Sequence, residues 1–154
     1  MDFLSPRAQE HEPLEDAFHQ ELLDRLSLPA FSRLLGLVTE EVRLDYCRMR
    51  LPYVPQHEQP FGVIHGGAIA SLIDSAVIGA IFSRLPQLPR KLATIDLHVH
   101  YLRPLAEADA IAEAWVRRRG NSIIFLAVEV RDSEGSVVAH GELSYAISAA
   151  PGTT

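Results

Sequence analysis

Residues 66–84 read Gly-Gly-Ala-Ile-Ala-Ser-Leu-Ile-Asp-Ser-Ala-Val-Ile-Gly-Ala-Ile-Phe-Ser-Arg. Taken as one helix, this segment carries apolar side chains almost all the way round, so it must be wrapped by something. A bilayer is not the wrapper: Asp74, Gly79 and the serines 71, 75 and 83 interrupt it, and the unbroken apolar runs are only a few residues long. The wrapping has to come from the rest of the chain.

Downstream, beyond Pro86 and Pro89, the pattern changes to period two. Ala93, Ile95, Leu97, Val99 and Tyr101 share one face, and Thr94, Asp96, His98 and His100 the other. Segments 110–118, 122–131 and 137–147 read as further strands, separated by Gly120-Asn121 and by Asp132-Ser133-Glu134-Gly135, which are hairpin compositions. The last four strands are therefore expected to form an antiparallel meander.

Upstream, Pro52, Pro55 and Pro60 predict an extended loop, and 38–51 reads as one strand whose apolar parity switches near Cys47, the sign of a bulge. Leu14, Ala17, Phe18, Leu22 and Leu26 fall at helical spacing, with Pro29 dividing two helical pieces that Gly36 ends. Residues 1–13 read as a frayed tail. The economical packing is an α+β fold, a curved antiparallel β-sheet wrapped around a long central helix. The division is 1–35, acidic tail and N-terminal helical segment; 36–148, the folded domain; and 149–154, a disordered C-terminal tail.

The 154 residues suit one domain, and 47% hydrophobic content rules out disorder as the main state. Fourteen basic and twenty acidic residues give a net charge of −6, which argues against nucleic acid as a partner. Residues 1–24 hold seven acids against Arg7 alone, so they carry the whole of that charge and the remainder is neutral. The acidic start is unlike a signal peptide, and the single Cys47 forms no intramolecular disulfide, so a cytoplasmic location is expected.

The chemistry gathers around His65-Gly66-Gly67 and Asp74. Paired glycines at a helix start expose backbone N–H groups that suit an anionic oxygen, although a tight turn alone also explains them. Asp74, set among Leu72, Ile73, Ala76, Val77 and Ile78, is a costly carboxylate unless it is used or bonded. Ionised, it can serve as a general base toward water or attack a carbonyl itself. Gly67 and Asp74 are seven residues apart, roughly 10 Å along one helix at 1.5 Å per residue, too far to serve one carbonyl. An antiparallel copy of the helix closes that gap, which predicts an obligate homodimer with two shared sites.

With Thr94-Ile95-Asp96-Leu97 and Tyr101-Leu102-Arg103-Pro104, these motifs give residues 36–148 the look of a known family. The chain resembles the hotdog-fold thioesterases of the phenylacetic-acid-degradation (PaaI-like) branch. The resemblance implies hydrolysis of an aryl- or acyl-coenzyme A thioester to free acid and coenzyme A. Gly67 N–H would polarise the carbonyl, and Asp74 of the other subunit would act as nucleophile or general base. Gln59, six residues before His65, would position water or substrate; His65 and Gly66 would order the loop and helix start; Ser75 and Ser83 would offer a pocket hydroxyl. Coenzyme A phosphates would meet the Arg117-Arg118-Arg119 run and the Gly120-Asn121-Ser122 turn, with Arg103 and Arg90 as further candidates. The resemblance implies no metal and no cofactor apart from the coenzyme A of the substrate, and a dimer that pairs again into a tetramer, for which Trp115 is a candidate surface.

Two other readings stay open. A hotdog hydratase or dehydratase would use a loop for which His57 and Gly62 are reminders, although the Gly-Gly start speaks against it. A non-catalytic acyl-coenzyme A binding protein would keep the pocket and lose turnover, against which stand Asp74 and Gln59. His98 and His100 share a strand face but have no third ligand at metal spacing.

Overall fold

The computed structural model describes residues 5–148, so the expected 149–154 tail lies outside the described residues. Pro6–Gln9 makes one helical turn (α1), capped by the Ser5 hydroxyl. Asp16–Ser27 (α2) and Ala30–Leu34 (α3) flank Pro29 as expected, and Gly36 leaves the second with φ +68°.

Segment 38–51 is a hairpin and not one bulged strand. Val38–Arg43 (β1) and Tyr46–Leu51 (β2) run antiparallel with Arg43 opposite Tyr46, around a two-residue turn in which Asp45 takes φ +60°. The parity change is the chain reversing, and Asp is among the few non-glycine residues that tolerate that left-handed backbone. The proline loop holds a 3-10 turn at Pro55–His57 and a small hairpin of its own, Glu58–Gln59 (β3) with Val63–Ile64 (β4). Gly66–Phe82 is the long helix (α4), followed by Lys91–Tyr101 (β5), Ala110–Arg119 (β6), Ile123–Arg131 (β7) and Val137–Ser148 (β8).

Six strands form one antiparallel sheet in the order β1-β2-β6-β7-β8-β5. The meander is therefore three strands long: β5 pairs with β8 along its length, and β2 takes the place beside β6. Among the last four strands, short turns fix neighbours only for β6, β7 and β8. Residues 102–109 carry the chain across instead, donating from Leu102 N–H to the Val138 carbonyl and accepting the Ile64 N–H at Leu105.

Helix α4 lies on the inner face of the sheet over a floor of small residues. Ala110, Ala112, Ala114 and Ala139 are fully buried beneath it. A Cβ on Gly141 would fall 2.6 Å from Ile73 Cγ2, and one on Gly79 2.5 Å from Cys47 Sγ, so neither glycine has room for a side chain where helix and sheet meet. Leu22 and Leu26 of α2 join this core along one flank, each large side chain so buried contributing about 1.5–3 kcal/mol.

The wrapping is incomplete. Ser71, Asp74, Ser75 and Ile78 form a half-exposed stripe along α4, and β5 buries no residue fully and ends the sheet with an unpaired edge among the described residues. Residues 5–13, by contrast, are no frayed tail. Pro13 bridges Arg43, the Leu44 N–H donates to the Glu12 carbonyl, Ala8 is buried, and the Arg7 guanidinium stacks 3.7 Å from the Trp115 ring centroid. This strap covers the outer face of the sheet over β1, β2 and β6, so Trp115 lies beneath it and is not a bare assembly surface.

Candidate active site

The start of α4 is organised by His65, its N-cap, whose Nδ1 accepts the Gly67 N–H at 2.8 Å. Accepting requires an unprotonated Nδ1, so the neutral ring carries its proton on Nε2. The bond also corrects the expectation for Gly67: its N–H is already committed. Ala68 and Ile69 N–H both turn back to the His65 carbonyl, at 2.9 and 3.3 Å. Of the four donors that a helix start leaves over, the Gly66 N–H alone has no acceptor among the described residues.

Gly66 is held from above. The Tyr101 hydroxyl donates to its carbonyl at 2.7 Å, and a Cβ on Gly66 would meet the Tyr101 ring at 3.2 Å. Beside this peptide opens a cavity of about 360 Å³ lined by Gln59, Gly66, Ile69, Tyr101, Arg103 and Leu105, among others. Gln59 and Arg103, both exposed, thus lie together next to the helix start, whereas Arg103 was expected only as a further phosphate candidate alongside the 117–122 run and turn.

Asp74 stands eight residues further on, about 12 Å along the axis, and does not line that cavity. Two hydroxyls converge on one of its carboxylate oxygens: Tyr145 Oη donates to Oδ1 at 2.5 Å and Thr94 Oγ1 to the same oxygen at 3.1 Å. Oδ2 has no partner among the described residues. Burial first, then the bond to Asp74, holds the Tyr145 phenol well above the usual tyrosine range, so it stays a neutral donor.

Other candidates separate. Ser75 lies half-buried next to Asp74, with its hydroxyl unengaged among the described residues, whereas Ser71 bonds back to the Gly67 carbonyl at 2.8 Å. Ser83 is not a pocket residue. It is buried at the far end of α4, donating to the Ala80 carbonyl and accepting the Asp45 N–H, both at 2.8 Å. Arg119 is likewise spent on the fold: its guanidinium grips Asp45 Oδ1 at 2.7 Å and reaches the Ala80 and Ile81 carbonyls at the C-terminal end of α4.

Arg118 is exposed beside the turn of Gly120, Asn121 and Ser122, which the Gly120 N–H closes onto the Ile123 carbonyl at 2.9 Å. A Cβ on Gly120 would approach that carbonyl to 2.7 Å, so the turn demands glycine. Arg90 is exposed in the loop after α4, and His98 and His100 are exposed on β5, with no metal-binding cluster among the described residues.

Tyr145 and the grip of Tyr101 were not foreseen, and Thr94 was noted only as part of a motif. One signal was available. A buried tyrosine on an inward-facing strand position needs an acceptor for its hydroxyl, and a carboxylate in an apolar helix needs a donor.

The family model described as the thioesterase superfamily matches residues 61–139. "Putative esterase VNG_1336C" of Halobacterium salinarum is 36% identical over 141 residues, covering 85% of this chain and 91% of that protein. The medium/long-chain acyl-CoA thioesterase YigI of Escherichia coli K12 is 28% identical over 131 residues, 76% of this chain and 84% of its own. In fold, the chain superposes on the E. coli PaaI protein from the phenylacetic acid degradation operon with a TM-score of 0.74 at 20% identity, covering 83% of this chain and 91% of that one. The curved sheet around one long helix is the hotdog arrangement.

Proposed function

Since the chain belongs to the thioesterase superfamily, we propose that it hydrolyses the thioester bond of an aryl- or acyl-coenzyme A, with Asp74 as base or nucleophile and the Gly66 N–H as the donor that polarises the carbonyl. The observation that carries this reading is the pairing of one unpartnered N–H at the dipole-positive start of α4 with one carboxylate oxygen left open on the same helix. Such a donor stabilises the oxyanion that forms as the carbonyl is attacked.

The 12 Å between them is bridged when an antiparallel copy of α4 sets the Gly66 of one subunit against the Asp74 of its partner. Two features support that dimer: the open stripe Ser71-Asp74-Ser75-Ile78, and the unpaired β5 edge with Ile95 52% and Tyr101 51% exposed. The same two-fold sets the 120–122 turn, which lies at the C-terminal end of α4, beside the partner's helix start, where Arg118 and Arg103 can meet coenzyme A phosphates. Oδ2 of Asp74 either takes a proton from a water that attacks the thioester carbon, or attacks that carbon itself to give an anhydride that water then opens. In both routes coenzyme A leaves as the thiol. Gln59 steadies the water or the acyl oxygen at the cavity mouth.

The test is thiol release from a panel of aryl- and straight-chain acyl-coenzyme A esters. Asp74→Asn and Asp74→Ala are expected to lose about 10²–10⁴-fold in kcat with ester binding retained. Unchanged turnover in both variants would overturn the mechanism, and binding without turnover in the wild type would point to a ligand-binding protein instead.

A further inference from the structure

Tyr145 sits on β8, 71 residues from Asp74 in sequence, with only 3% of its surface exposed. Its ring is built into the core beneath α4, and its hydroxyl meets Asp74 twice, at Oδ1 (2.5 Å) and at the backbone carbonyl (3.3 Å). A neutral phenol so placed can only donate to a carboxylate. Because the Thr94 hydroxyl donates to the same oxygen, both donors load Oδ1, and Oδ2 is the oxygen left to face the open stripe of the helix.

Resting on the thioesterase reading above, we infer that Tyr145 is a positioning residue: by donating to Asp74 Oδ1 from the rigid sheet, it fixes the carboxylate rotamer and selects Oδ2 as the oxygen that reacts. The inference follows from where the ring is anchored. Strand β8 is held on both sides, by β7 and β5, so the donor has no freedom to follow the carboxylate, and the carboxylate must come to it. Tyr145 touches no substrate in this arrangement. It acts wholly through Asp74, and that dependence is what can be measured.

The experiment compares wild type, Tyr145→Phe, Asp74→Asn and the double variant. A hydrogen bond to a charged group supports an expected fall in kcat of about 10–100-fold for Tyr145→Phe with KM kept within about twofold, since the ring and its packing survive. In the Asp74→Asn background the same substitution should cost less than about twofold, because the group it acts through is gone. A downfield, slowly exchanging hydroxyl proton in the NMR spectrum of the wild type should vanish in Tyr145→Phe and move upfield in Asp74→Asn, whether or not an ester is turned over. An equal loss with and without Asp74, or a loss falling on KM alone, would overturn the positioning role. If the wild type releases no thiol from any ester while the hydroxyl signal persists, the thioesterase reading fails and takes the catalytic part of this role with it, leaving a structural bond.

Discussion

Each group proposed to act in this chain is defined by what its neighbours leave free. Gly66 and Gly67 look equivalent in sequence, yet His65 spends one N–H and leaves the other. Asp74 has two oxygens, and two hydroxyls occupy one of them. The same logic makes Cys47 inert: it is fully buried against Gly79, and burial pushes its thiol up to about 12. A raised thiol pKa means that the reactive thiolate is scarce at neutral pH and becomes appreciable only as the pH approaches that value. Native protein at pH 8 should therefore leave a disulfide reagent such as DTNB unreduced, and one thiol per chain should appear in denaturant; prompt labelling of native protein would contradict the burial. What was legible at this scale was local. His65, Gly66, Gly67 and Asp74 lie within ten residues, and helix periodicity alone relates them. Tyr145 and Thr94 reach Asp74 only through strand pairing, so no short window of sequence contains both ends of either bond.

Polar residues at the ends of elements were misread for the same reason. Ser83 and Arg119 have the chemistry of a ligand site, but the β1–β2 turn brings Asp45 to both of them, and Asp45 also pairs with Arg84 at 2.5 Å. The turn itself was hidden because Leu44-Asp45 lacks the glycine that usually announces a hairpin. The outcome is a sharp contrast between adjacent arginines. Arg119→Met should lower stability by about 1–2 kcal/mol, as a C-terminal helix cap and a partly buried ion pair are lost, with KM unchanged. Arg118→Glu should leave the urea midpoint in place and raise KM for the coenzyme A ester. Chemical denaturation beside steady-state kinetics separates the two, and an exchange of these effects would reassign the phosphate contact. The strands themselves were legible from alternation and turn composition. Their order was not, because the eight-residue crossing 102–109 carries no signal of which edge it will reach.

At the scale of the whole molecule, the chain encloses a helix on most of its circumference and stops. The remaining stripe bears Asp74, and the strand beside it, β5, presents an unsatisfied edge. Ile95→Lys places a charge on that edge, a substitution that blocks strand addition. Sedimentation should then find monomers, with thioesterase activity lost even though Asp74, Gly66 and their bonds are intact; an active monomer would refute the shared site. The acidic strap adds a second constraint on assembly, since it already occupies the outer sheet face over β1, β2 and β6, and any pairing of dimers through the sheet has β7, β8 and β5 to use. The alanine floor beneath α4 bears on how this protein could change its diet. Ala110, Ala112 and Ala114 have no room to grow and nothing to give up, for enlarging any of them would lift the helix and carry Asp74 away from Tyr145. On the proposed reading, adaptation to a longer, shorter or bulkier acyl group, in evolution or at the bench, has to proceed from the other side of the helix, through Ser75, Ile78 and the partner surface proposed to meet them.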